Sequence, residues 1–102
     1  MGYKVILTPP AIEDLRVIAE YIAADNPERA LTFGEELLTR ALEAGELPKA
    51  GRIVPEVGDP TVRELIHKSY RIVYKIEVNA GVVYVVRIWH AARGEPDISS
   101  KT

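Results

Sequence analysis

Between Val62 and Arg93 the chain reads VRELIHKSYRIVYKIEVNAGVVYVVRIWHAAR. Val, Ile and Tyr crowd three runs, and Ser, Asn and Gly fall between them, the composition of strands joined by tight turns. The stretch predicts three consecutive antiparallel strands, Val62 to His67, Tyr70 to Val78 and Val82 to His90, with turns at Lys68-Ser69 and Asn79-Ala80-Gly81. A three-residue loop with Gly81 in the left-handed conformation is a common hairpin closure. It sets Val78 opposite Val82, Ile76 opposite Tyr84, Tyr74 opposite Val86, Ile72 opposite Ile88 and Tyr70 opposite His90. Alternation puts these on one nearly apolar face that must be covered. The other face carries Arg71, Val73, Lys75 and Glu77 opposite Val83, Val85, Arg87 and Trp89. If Lys68-Ser69 is a two-residue turn, Val62, Glu64 and Ile66 join it. A slip of one residue would exchange the two faces.

Upstream, Tyr3 to Leu7 reads as a short strand. Thr8 then caps a helix whose first positions hold Pro9 and Pro10, where a missing N–H costs little. Ala11, Leu15, Ile18 and Ile22 recur at helical spacing, with Ile12 and Ala19 widening the stripe and Asp14 on the outer side. Asn26 caps a second helix that runs to about Ala44. Its buried face holds Ala30, Phe33, Leu37 and Ala41, helped by Leu38 and Leu42. Gly34 in mid-helix costs about 1 kcal/mol relative to Ala, which a close approach to the first helix would explain. The short link predicts an antiparallel helical hairpin. The expected fold is α+β, a two-layer sandwich of an N-terminal strand, a helical hairpin and a three- to four-stranded antiparallel sheet. Residues 45–61, with three Pro and three Gly, form a connecting loop with a short strand near Arg52 to Pro55. Residues 1–94 are expected to make one domain and 95–102 a disordered tail.

The chain has 102 residues and a net charge of −2. Residues 1–46 hold four Lys/Arg and nine Asp/Glu, and residues 47–102 hold nine and six. The basic character therefore lies in the sheet half. The absence of Cys excludes disulfides, thiolate chemistry and Cys-based zinc sites. No signal peptide and no apolar run near 18 residues is present, so a soluble cytoplasmic protein with no membrane association is expected.

Four segments, YKVILTPPAIEDLRVIAEYI at 3–22, GRIVPEVGDPTVREL at 51–65, SYRIVYKI at 69–76 and VVRIWHAARG at 85–94, together span most of the chain. In this order the sequence resembles the ParE/RelE toxin superfamily of bacterial type II toxin–antitoxin systems, closer to the ParE and plasmid-stabilisation branch. That resemblance implies a small growth inhibitor neutralised by the C-terminal segment of a cognate antitoxin, with no cofactor and no metal. It also implies that the pair meets operator DNA only through the antitoxin. Members act by one of two routes. RelE-like toxins cut messenger RNA at the ribosome, and ParE-like toxins poison DNA gyrase.

Metal-free ribonuclease chemistry needs a base for the 2′-OH, an acid for the leaving oxygen and a cation near the phosphate. Arg71 and Arg87 would lie diagonally on the open sheet face and hold a phosphate, with Glu64 on the same face as base. The resemblance adds His90, near the C-terminal position where some RelE-like toxins keep a catalytic His, although this register sets it on the core side. Trp89, opposite Arg71, would stack a base. A plainer reading pairs Arg71 and Arg87 with Glu64 and Glu77. The RelE pattern also has a C-terminal Tyr, whereas this chain has none after Tyr84 and is net acidic, and docking on ribosomal RNA favours basic proteins. The expected action is therefore ParE-like, non-catalytic binding of gyrase. The alternatives are an mRNA endoribonuclease using Glu64, Arg71, Arg87 and His90, or a non-toxic antitoxin-binding module. Val83, Val85, Arg87, Trp89, Arg71 and Lys75 would form the surface that the antitoxin covers.

Overall fold

The computed structural model describes residues 2–93. The expected tail, 95–102, lies outside the described residues. Strand β1 (Lys4–Leu7) leads into helices α1 (Pro9–Ala23) and α2 (Pro27–Glu46). A turn of 3-10 helix at Pro48–Ala50 and the two-residue strand β2 (Arg52–Ile53) follow. Strands β3 (Val62–His67), β4 (Tyr70–Glu77) and β5 (Val82–His90) complete one five-stranded sheet in the order β1-β5-β4-β3-β2. All neighbours are antiparallel except β1, which runs parallel to β5. The sheet is mixed and holds more strands than expected, because the hairpin carries the chain from β1 at one edge to β2 at the other and β5 then comes back to pair beside β1. Among the described residues, no helix is long and apolar enough to cross a membrane.

Local signals account for the helices. Asn26 caps α2, its Oδ1 accepting from the Arg29 N–H at 3.0 Å, and Pro27 opens the first turn. Thr8 precedes α1, but its hydroxyl does not cap the helix; it donates to the Val85 carbonyl at 2.9 Å and ties α1 to β5. Ala11 and Ile18 of α1 and Phe33, Leu37, Ala41 and Ala44 of α2 pack on one sheet face. Ile12, Leu38 and Leu42, expected to help bury that face, are instead exposed. The gap left by Gly34 is also not a close approach, since a Cβ there would meet nothing within 4 Å. The crowded glycine of α2 is Gly45, where a Cβ would lie 2.6 Å from the Tyr3 carbonyl oxygen and from a Val5 methyl.

The meander departs from the expected register in its upper half. Tyr70–His90, Arg71–Trp89, Ile72–Ile88 and Val73–Arg87 pair as the alternation predicts. Above them Val86 is extra, so Tyr74 meets Val85, Lys75 meets Tyr84, Ile76 meets Val83 and Glu77 meets Val82. The cause is the turn, which takes four residues, Val78 to Gly81, rather than three. The bulge at Val86 absorbs the additional residue. Val83 and Val85, expected on the open face, are therefore fully buried in the core with Tyr74 and Ile76. Val82 to Val86 is apolar at nearly every position, so no alternation opposes the slip.

Candidate functional site

The second sheet face, expected to be open, is covered in part, while Ile66 and Lys75 on it stay exposed. The connection from Val54 to Thr61 folds back over it. Val54, fully buried, packs against Val62 and Val73, with Val86 beside them. Gly51 makes the wrap possible, for a Cβ there would meet the Tyr74 hydroxyl at 2.3 Å and the Glu64 carbonyl at 2.7 Å. The Tyr74 hydroxyl, held from below by the core, donates to the Pro48 carbonyl at 2.6 Å and accepts from the Gly51 N–H at 3.2 Å.

Beneath this strap, charges alternate in a chain. Glu64, whose side chain has no exposed surface, accepts from Arg71 Nε at 2.6 Å and from Arg52 Nε at 2.5 Å. Arg71 places its other edge on Glu56, with Nη1 and Nη2 at 3.1 and 2.8 Å from the two carboxylate oxygens. A buried charge is tolerated only when paired and hydrogen-bonded, and this arrangement pairs every one. The Arg71 fork holds the Glu56 carboxyl below its ordinary range. The same two carboxylates, Glu56 foremost, hold Arg71 protonated.

Arg87 takes a separate partner. Its Nε and Nη2 reach Asp14 of α1 at 2.7 and 2.8 Å, and Asp14 also accepts from the Ile88 N–H at 2.9 Å. The guanidinium carbon lies 4.7 Å from the Trp89 ring centre. Beyond Val85, β5 outruns β1, and Asp14 supplies the acceptor that a neighbouring strand would have given. Asp14 is thus buried, not on the outer side as its polarity suggested. Its spacing from Ala11 and Ile18 was the available signal.

His90 falls on the core side, as the register predicts. Its ring meets Tyr70 edge-on at 4.9 Å between centres, and Nδ1 accepts from the Ala92 N–H at 3.1 Å. His90 and Arg87 line one recess of about 360 Å³ with Tyr21 and Tyr70. Glu64 and Arg71 lie under the strap instead. The four expected catalytic residues are therefore split between two places. Of the six residues expected to meet the antitoxin, Val83, Val85, Trp89 and Arg71 are buried, Arg87 is half-buried and only Lys75 is exposed.

Apolar side chains are exposed on the helical hairpin. Leu15, Ala19 and Ala23 of α1 and Leu31, Gly34 and Leu38 of α2 line a groove of about 460 Å³, rimmed by Glu20 and Glu35. Leu31 is 68% exposed, Leu42 59% and Ile12 54%, the leftover of apolar stripes wider than the sheet can cover. Sequence reasoning assigned Leu15, Ala19, Leu38, Leu42 and Ile12 to the core and so missed the groove. It also missed His67, which lies 3.0 Å from Glu36, a carboxylate shared with Arg29 at 2.9 Å.

A family model described as the ParE toxin of the type II toxin–antitoxin system, parDE, matches residues 5–94. Toxin RelE2 of Caulobacter vibrioides is 34% identical over 90 residues, covering 88% of this chain and 97% of that protein. Among solved structures, a chain of the chromosomal ParDE system of P. aeruginosa superposes with a TM-score of 0.71 at 20% identity, covering 87% of this chain and 96% of that one. E. coli toxin RelE, a mutant in the free state, gives 0.67 at 22% identity, with 92% and 88% covered. The toxin–antitoxin complex RelBE2 of Mycobacterium tuberculosis gives 0.66 at 19%, with 88% and 99% covered. These structures share the fold.

Proposed function

Because this chain belongs to the ParE toxin family of type II toxin–antitoxin systems, we propose that it halts growth by binding DNA gyrase without catalysis, in the cytoplasm. Its partner is a cognate antitoxin. The observation that carries the non-catalytic reading is that each cation of the ribonuclease set already holds its own carboxylate. Arg71 grips Glu56 and Glu64, and Arg87 grips Asp14. Glu64, the expected base, is clamped between two guanidiniums with no exposed surface, where it does not reach a 2′-OH. His90 stands apart from both Glu64 and Arg71.

The antitoxin, in this reading, covers the apolar groove of the hairpin rather than the sheet face. The rim carries Glu20 and Glu35, and residues 1–46 carry five more acidic than basic groups. The segment that lies there is accordingly apolar with Lys or Arg at its edges. Operator DNA is met through the antitoxin.

The test is induction of this chain alone in growing bacteria, with pulse labelling of protein and DNA synthesis. Continued translation with arrested DNA synthesis and an SOS response is expected. Collapse of translation within minutes would replace this reading with the endoribonuclease, and Glu64, Arg71, Arg87 and His90 would become the alanine targets. Undisturbed growth would leave an antitoxin-binding module.

A further inference from the structure

The start of β1, the end of α2 and the end of β4 meet at one place, and each is set there by a local cause. Pro48 disfavours a helical conformation at Leu47, which leaves α2 with φ of −136° and ψ of 77° and stands 67% exposed. The four-residue turn ends the β4–β5 ladder at Glu77–Val82, so Val78 lies outside it, 62% exposed, instead of pairing with Val82. Tyr3 enters β1 with its N–H on the Gly45 carbonyl at 2.7 Å. With Pro48, Lys49 and Ile76, these residues line a recess of about 430 Å³. It shares no lining residue with the hairpin groove.

The walls are fixed by the chain itself. Buried Ile76 backs the recess. The Pro48 carbonyl accepts from the Tyr74 hydroxyl at 2.6 Å, and Arg63 Nη1 donates to the Lys49 and Gly51 carbonyls at 3.3 and 3.0 Å. An apolar recess with few polar groups, within the roughly 300–1,000 Å³ of small-molecule sites and already formed, spares a ligand the cost of ordering it. Lys49 is the one charged residue of the lining, and it is exposed and pairs with no carboxylate among the described residues. Glu77, beside Val78 in the chain, alternates to the other face of β4 and pairs with Lys75 at 3.8 Å. We propose that the recess binds a small molecule with an apolar body and a single carboxylate, the body against Leu47, Ile76 and Val78 and the carboxylate at Lys49. The inference is independent of the toxin's target and of the path of the antitoxin.

Three probes of one chain length and different charge separate the terms: octanoate, octanol and octylammonium. The full chain, labelled with ¹⁵N, is titrated with each, and the amide shifts of Leu47, Lys49, Ala50, Ile76 and Val78 are followed by NMR. Octanoate is expected to move these amides and to bind about tenfold more tightly than octylammonium, the range of one exposed charge turned from attraction to repulsion, with octanol between them. Lys49→Glu should invert that order. Val78→Asp, at an exposed position, should weaken octanoate by about tenfold or more, since it sets a like charge in the mouth of the recess. Equal affinity for the three probes would mean that any apolar group fits, such as a side chain of a protein partner, and would overturn the proposal. So would an order that survives Lys49→Glu, shifts that fall on the hairpin groove instead, or no shift at millimolar octanoate. The order of the three probes on the unaltered chain decides the matter even where a variant fails to fold.

Discussion

At the scale of single residues, Glu36, Glu56, Glu64 and Asp14 each hold a cation, and acid should undo the exposed pairs. Glu36, bonded first by Arg29 and then by His67, has its pKa lowered to about 2. Glu56 is lowered in the same direction by Arg71. A carboxylate whose folded pKa is depressed contributes stability above its unfolded value and loses it as pH falls toward the folded one. The melting temperature should therefore hold above roughly pH 5 and fall between about pH 5 and pH 2. Melting curves of Glu36→Gln and Glu56→Gln should start lower at neutral pH and lose less on acidification. A variant that loses as much as the unaltered chain would show that its carboxylate is not a source of the acid sensitivity. Because Glu36 is well exposed, salt should weaken its share, whereas the Glu56–Arg71 pair, partly under the strap, should resist salt better.

At the scale of elements, the glycines separate space from conformation. Gly34 lies mid-helix with nothing near its absent Cβ, so Gly34→Ala should stabilise the chain by about 0.5–1 kcal/mol through helix propensity alone. Gly45, in the last turn of α2, is pressed against β1, and its carbonyl accepts from the Tyr3 N–H at 2.7 Å. Gly45→Ala must push β1 outward and should cost about 1–3 kcal/mol. Urea denaturation of both variants measures the pair. Opposite signs are expected, and a stabilising Gly45→Ala would mean that β1 does not pack on α2 as described. The same crowding logic explains the strap, since Gly51 admits the Tyr74 hydroxyl where any side chain would exclude it.

At the scale of the whole molecule, charge and exposure separate into two halves. The sheet half is basic, and its second face is partly covered by its own loop. The hairpin half is acidic and leaves its apolar groove uncovered. If the antitoxin covers that groove, Leu38→Glu adds a buried charge beside Glu35 and should weaken antitoxin binding more than about tenfold without unfolding the chain. Isothermal titration of the antitoxin into Leu38→Glu reads this directly, and unchanged affinity would move the contact off the hairpin. Trp89→Ala, by contrast, removes a nearly buried ring from beneath Arg87, so any loss of antitoxin binding there would come with a loss of stability.

The element order, the two helix starts at proline, the buried stripe of Ala30, Phe33, Leu37 and Ala41 and the lower register of the meander were all legible in the amino-acid sequence. Local propensity, proline position and apolar period act over a few residues and leave their mark there. The family was legible as well, from the order of the four segments. The upper register was not, because Val82 to Val86 is apolar on both sides of the strand and only the four-residue turn decides which side faces the helices. The pairing of Arg71 with Glu64 was open to a cross-strand argument, but Glu56 and Asp14 reach their arginines from a loop and a helix across long stretches of chain. No local pattern records such a distance. Sequence alone determined which residues form strands and helices. Only the tertiary structure decided which face stays bare, because a sheet covers what the loops and helices can reach and leaves the rest to a partner.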